Sequence, residues 1–249
     1  MDTARVAIVT GGARGIGRAC AHALAEKGFD LVLVDLLLPE MQRTRGEIEA
    51  MGRTALVYEA DVASYSRAQE VVDEVVAQWG RVDFLLNNAG RSMPKGLLEI
   101  SEEEWDRTLD INLKSCFNWC RAVVPLMQEQ GKGRIANMSS LNAHTGGVTS
   151  AVSKFAYAAA KAGILGLTRA LAKELGPTVH INAICPGVIE TELGNSLTRA
   201  RGAELAEGIS LERLGTPQDV ANVVAFLATA EPSFMTGQNL VIDGFQWVV

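Results

Sequence analysis

The sequence predicts an α/β fold, a doubly wound parallel seven-stranded sheet with helices on both faces, in a single domain. Three observations predict it. Short, continuously apolar runs recur, such as Val6-Ala7-Ile8-Val9 and Leu31-Val32-Leu33-Val34. Stretches with helical spacing separate them. No linker, repeat or composition shift breaks the alternation across 249 residues. Strands that are apolar at every position are buried on both faces, as a parallel sheet between two helix layers requires. Strand–helix alternation over the whole length is the doubly wound pattern.

The elements follow in order. Val6–Thr10 is the first strand, and a glycine-rich turn leads from it into a helix over Gly15–Lys27, stopped by Gly28. Leu31–Val34 and Thr54–Tyr58 are the second and third strands. Ala68, Val71, Val72, Val75, Val76 and Trp79 fall on one helical face, which predicts a helix over Ser66–Trp79. Asp83–Leu86 is the fourth strand. Ser101 and Glu104 form a capping box that opens the next helix. Arg134–Met138 is the fifth strand. A loop follows, and then a long helix over Ser153–Leu175, ended by Gly176-Pro177. His180–Ile184 is the sixth strand, Thr216-Pro217 starts the last helix, and Leu240–Ile242 is the seventh strand.

Composition narrows the function. There are 23 Lys and Arg against 29 Asp and Glu, a formal net charge of −6. A mildly acidic chain offers no field for neutralising phosphate polymers, so no nucleic-acid partner is expected. At 48% hydrophobic residues the chain is too apolar for disorder. No apolar run approaches the ~18 residues of a membrane span, and the N-terminal apolar run is too short for a signal peptide. Cys20, Cys116, Cys120 and Cys185 make no CxxC pair and read as small buried residues. A cytoplasmic location is therefore expected. His22, His144 and His180 have no ligand spacing, so no metal is expected.

Ligands of such folds sit at the carboxyl ends of the strands. After the first strand comes Thr10-Gly11-Gly12-Ala13-Arg14-Gly15-Ile16-Gly17. Glycines there let the backbone approach a pyrophosphate and aim the next helix's N–H groups at it. Asp35 ends the second strand, 18 residues beyond Gly17. A carboxylate there accepts from ribose hydroxyls and repels a 2′-phosphate, which favours NAD over NADP. Arg14 pulls weakly the other way. Asp61 and Val62 are placed to hold the adenine edge, or Asp61 caps a helix. Asn88, Ala89 and Gly90, after the fourth strand, let a nicotinamide ribose approach. Pro186, Gly187, Val188 and Thr191 close the sixth strand against the cofactor.

Asn137-Met138-Ser139-Ser140 ends the fifth strand, and Tyr157 and Lys161 share a helix face at i, i+4. A tyrosine that moves protons near neutrality needs a cation beside it to favour the phenolate, and Lys161 is so placed. Ser140 is the residue expected to bond the substrate oxygen and stabilise charge developing there.

These motifs together resemble the short-chain dehydrogenase/reductase family, over about residues 5 to 244. They are Thr10–Gly17, Asn87-Asn-Ala-Gly90, Asn112, Ser140, Tyr157-Ala-Ala-Ala-Lys161 and Pro186–Thr191. The resemblance implies a catalytic tetrad of Asn112, Ser140, Tyr157 and Lys161, with Asn112 holding a water that links Lys161 to solvent. It implies hydride exchange at a nicotinamide bound partly by Tyr157 and Lys161. It also implies a substrate lid over about 190–214 and a homotetramer. One departure is visible: Ser140 lies 17 residues before Tyr157, which makes the loop 141–155 about four residues longer than the family's usual spacing. Asn142 and His144 in that loop join Ser140 and Tyr157 as expected substrate contacts. Arg91 and Ser92 also face the mouth. The leading functional expectation is an NAD-dependent oxidoreductase that interconverts a secondary alcohol and a ketone. The alternative is an NADPH-dependent 3-oxoacyl carrier-protein reductase.

Overall fold

A computed structural model describes residues 4–147, 153–192 and 202–246. Its seven strands are β1 (Arg5–Thr10), β2 (Phe29–Asp35), β3 (Ala55–Glu59), β4 (Phe84–Asn87), β5 (Gly133–Met138), β6 (Val179–Pro186) and β7 (Asn239–Ile242). They form one sheet in the order β3-β2-β1-β4-β5-β6-β7, with every neighbouring pair parallel. Successive side chains of a strand point to opposite faces. Ala7, Val9, Leu31 and Leu33 thus enter one core, with α1 (Gly15–Glu26), α2 (Leu38–Ala50) and the Pro217–Thr229 helix. Val6, Ile8, Val32 and Val34 enter the other, with α3 (Tyr65–Trp79), α5 (Ser115–Glu129) and α7 (Phe155–Leu175). The unbroken apolar runs in the sequence reflect these two cores.

Element ends differ from expectation by one or two residues for most elements. The expected helix after Thr216 is Pro217–Thr229, the expected Ser101–Glu104 capping box forms, and Thr216 and Asp219 make a second one. The long helix stops at Leu175. Gly176 is extended (φ −67°, ψ 149°), the conformation that the following proline imposes, rather than left-handed. One helix, α2, carries no clear signal in the sequence. Only Met41, Thr44 and Ile48 of it are buried, so its apolar stripe is one residue wide.

The helix that begins at Ser101 is α4 (Glu102–Leu109), and it runs into a π-helical turn over Asp110–Lys114 before α5. Such turns recur at functional sites. Here the turn carries Asn112. Among the described residues, no helix is long and apolar enough to cross a membrane, and no cluster of metal-ligating side chains occurs.

The chain lays down β1, β2 and β3 in one direction and then returns to place β4 on the other side of β1. Loops that leave β1 and β4 diverge there, and a crevice opens at the strand ends.

Candidate active site

A cleft of about 880 Å³ runs along this crevice. At one end its wall is the β1–α1 turn. Gly11 has φ +68° and its N–H bonds the Val34 carbonyl at 2.7 Å. A Cβ on Gly17 would lie 2.0 Å from the Gly11 carbonyl oxygen, so α1 can reach β1 this closely only with glycine there. Thr10 ties in the next loop: its hydroxyl accepts from Asn88 N–H (3.0 Å) and Ala89 N–H (3.1 Å). The Asn88 side-chain amide returns to the Thr10 and Gly11 carbonyls at 3.0 and 3.2 Å. Gly15, Ile16 and Gly17 line the cleft at the start of α1, where N–H groups face a bound anion. This tight glycine cradle fits a dinucleotide pyrophosphate.

Asp35 stands at the end of β2 and lines the cleft. It is held by backbone: one oxygen accepts from Leu36 and Leu37 N–H at 2.8 and 3.3 Å, the other from Ala13 N–H at 3.2 Å. Arg14 lines the cleft nearby. Asp61 also lines it. The cap of α3 is Ser64, which accepts from Arg67 N–H, so Asp61 is free of that role. Asp61 accepts instead from Ala63 N–H (3.0 Å) and pairs with Arg107 (2.7 Å). Burial raises its carboxyl, but those two bonds outweigh it and hold the group below its ordinary range. Val62 completes this end.

At the other end, Tyr157 projects from the first turn of α7 and Lys161 from the next. Lys161 is 3% exposed, and its Nζ donates to the Met138 carbonyl at 2.7 Å and lies 5.6 Å from the Tyr157 ring centre. Burying an ammonium is costly unless partners hold it. The Met138 carbonyl and the cleft supply them. Ser139 is buried and donates to the Lys161 carbonyl (2.7 Å), which ties the end of β5 to α7. Ser140 is half-buried, lines the cleft and accepts from Asn142 N–H at 3.2 Å, leaving its hydroxyl proton for the cleft. This division of labour favours Ser140 over Ser139 as the substrate contact.

Asn112 is fully buried, and its side chain makes three hydrogen bonds. Oδ1 accepts from Arg91 N–H (3.1 Å), and Nδ2 donates to the Arg91 and Thr108 carbonyls (2.9 and 3.0 Å). The side chain clamps the loop after Gly90 and keeps one acceptor lone pair on Oδ1. A Cβ on Gly90 would meet Asn112 Oδ1 at 2.9 Å and Lys161 Nζ at 3.3 Å, so glycine lets all three converge.

Of the other expected residues, Ala89, Pro186, Gly187 and Thr191 line the cleft. Three do not. Val188 faces a smaller neighbouring cavity, because its N–H bonds Gln246 and its carbonyl accepts from Gly215. Asn142 and His144 lie on the short helix α6 (Asn142–Thr145) and are not among the described residues that line the cleft. The expected lid begins and ends at a parallel bridge between Ile189 and Gly215; 193–201 of it lie outside the described residues. Arg107, Ile111 and Ser153 also line the cleft and were not expected there. No local pattern marks Arg107; its partner is 46 residues away.

The family model described as enoyl-(acyl carrier protein) reductase matches residues 11–244. The chain belongs to the short-chain dehydrogenase/reductase family. A 3-oxoacyl-(acyl-carrier-protein) reductase, FabG, from Thermotoga maritima is 37% identical over 241 residues, 96% of each chain. The oxidoreductase UcpA of Salmonella typhimurium is 37% identical over 251 residues, 97% of this chain and 94% of its own. A solved short-chain dehydrogenase/reductase from Brucella melitensis, described as a glucose/ribitol dehydrogenase, superposes with a TM-score of 0.90 at 32% identity. It covers 98% of this chain and 97% of its own. As a member of this family the protein is an oxidoreductase that works with a nicotinamide cofactor.

Proposed function

We propose that the protein reduces the keto group of a 3-oxoacyl thioester to a secondary alcohol. The observation that carries this is the convergence of Tyr157, Lys161 and Ser140 at one end of a cleft whose other end is a dinucleotide cradle. The names of its relatives favour this reading, the alternative in the sequence, over a secondary-alcohol dehydrogenase. Bound in the cleft, the dinucleotide supplies the hydride. Ser140 donates a hydrogen bond to the keto oxygen. Tyr157 gives that oxygen its proton, and Lys161 favours the phenolate left behind. Asn112 holds the Gly90–Arg91 backbone against this centre. In the reverse direction Tyr157 takes the alcohol proton.

NADH is proposed as the preferred reductant. This rests on Asp35 alone, whose fixed carboxylate would face a 2′-phosphate; the relatives' names lend it no support. The same carboxylate, and the Brucella neighbour, favour the second reading, an NAD-dependent dehydrogenase of a secondary alcohol. One panel separates the two. Purified enzyme is assayed with NADH and NADPH on 3-oxoacyl thioesters, and with NAD⁺ on secondary alcohols, sugars and polyols. Thioester reduction supports the proposal. Turnover confined to alcohols overturns it in favour of the second reading.

A cytoplasmic homotetramer completes the proposal. All four cysteines are free and buried, which suits a reducing compartment. The exposed face of α7 carries Ala159, Ala162 and Gly166, and α5 exposes Phe117, which stacks on Tyr65 at 6.0 Å. Small and aromatic residues on neighbouring helices suit close helix–helix contact between copies.

A further inference from the structure

We propose that Arg91 forms an anion subsite at the substrate mouth, so that the substrate carries a phosphate or carboxylate that reaches this mouth while its keto group stands at Tyr157. The inference rests on the reductase reading above for its choice of substrate probes, and on four observations for itself.

The first is position. Arg91 lines the catalytic end of the cleft with Ser92, Ser153, Ser140 and Tyr157. The second is charge. The cleft's two lining carboxylates, Asp35 and Asp61, both lie at the adenosine end, on β2 and after β3. The catalytic end is lined by Arg91 and Lys161, with no carboxylate among the described residues. A chain of net charge −6 thus presents a cationic substrate mouth.

The third observation is the absence of a competing role. Asp61 occupies Arg107, and Met138 occupies Lys161. Among the described residues, nothing hydrogen-bonds or ion-pairs with the Arg91 guanidinium. The fourth is anchoring. The buried Asn112 amide grips both the N–H and the carbonyl of Arg91. Two residues on, the Met93 carbonyl accepts from Lys154 N–H at 2.7 Å, joining this loop to the start of α7. The arginine is therefore launched from a fixed backbone. Its fork of donors matches the two oxygens of a carboxylate or phosphate, and the serine hydroxyls beside it can complete the oxyanion's shell.

The test uses the NADH-loaded enzyme and three keto substrates: acetoacetyl-pantetheine 4′-phosphate, the uncharged acetoacetyl-N-acetylcysteamine, and free acetoacetate. In the wild type, kcat/KM for the charged substrate should fall with added NaCl more steeply than for the uncharged one. In Arg91→Gln the charged-to-uncharged ratio of kcat/KM should drop about tenfold or more. Arg91→Lys should recover part of it. A loss confined to the pantetheine phosphate identifies a carrier arm as the source of the anion; a loss confined to acetoacetate identifies a small oxo acid. Equal losses on charged and uncharged substrates, or no loss on any, overturn the subsite.

If no thioester or oxo acid turns over, the reductase reading fails separately. Calorimetric titration of pantetheine 4′-phosphate and of acetoacetate into the NADH complex then decides. Weaker binding to Arg91→Gln than to wild type upholds the subsite. Equal affinities, or no binding to either protein, sink it.

Discussion

Tyr157 and Lys161 sit one turn apart at the start of α7, and the buried lysine's contact with Met138 fixes their spacing to the end of β5. Tyr157→Phe keeps the ring and removes the proton. Its kcat should fall about 10²–10⁴-fold, the range for losing a positioned acid, while NADH fluorescence titration still shows binding. Activity within a few-fold of wild type would refute the assigned role. Asp35 makes the opposite kind of contribution, since it discriminates rather than reacts. Asp35→Ala should shrink the NADH-over-NADPH ratio of kcat/KM by about tenfold, equivalent to about 1.4 kcal/mol. A wild type that uses NADPH as well as NADH would remove the basis for that prediction. Tyr157, Lys161, Ser140, Asp35 and the glycines are legible in the sequence because each belongs to a short pattern tied to a strand end. Arg107 is not. Its meaning comes from Asp61, 46 residues away, and neither residue's neighbours announce the other.

At the scale of elements, the stretch from α4 through the π turn spans the cleft. Arg107 reaches the adenosine end through Asp61, and Asn112 reaches the catalytic end through the Arg91 backbone. Trp105 of α4 also stacks on Phe155 at the start of α7, with ring centres 5.6 Å apart, which ties this stretch to the helix that carries Tyr157. The start of the Pro217–Thr229 helix shows how a cap becomes a pH dependence. Asp219 accepts from Arg213 (2.7 and 2.9 Å) and from Thr216 N–H (2.7 Å), and those bonds hold its carboxyl well below the usual range. A depressed carboxyl stabilises the fold fully above its unfolded value, near 4, and that contribution is lost progressively as pH falls from there through the lower folded value. Asp219→Asn should therefore melt a few degrees below wild type at pH 7, about 2–4 °C, with the gap narrowing as pH falls below about 4. A gap that is constant with pH would mean that the carboxylate charge is not what the cap uses. The Ser101–Glu104 capping box and the Thr216 cap are visible in sequence, while α2 is not, because three buried side chains leave too faint a stripe.

For the whole molecule, the half-exposed Phe117 and Phe226, the exposed Phe234 and the small-residue face of α7 predict association. Sedimentation at micromolar concentration should give a homotetramer; a monomer alone would overturn it. The parallel sheet, its cover by helices on both faces and a ligand site at the strand ends follow from patterns that the chain displays openly. Strands apolar at every position demand cover on both faces, and a glycine turn after the first strand marks where a dinucleotide fits. Those are local properties, governed by backbone geometry and by which side chains avoid water, so sequence by itself determined them. What only the tertiary structure decided is what side chains distant in sequence do to one another. It set Val188 against a smaller neighbouring cavity and joined the Asn112 amide to the Arg91 backbone. It also paired Asp61 with Arg107, and left Arg91 at the substrate mouth with no ion-pair partner among the described residues. Such outcomes depend on distances across the fold, and the order of residues along the chain does not encode them one by one.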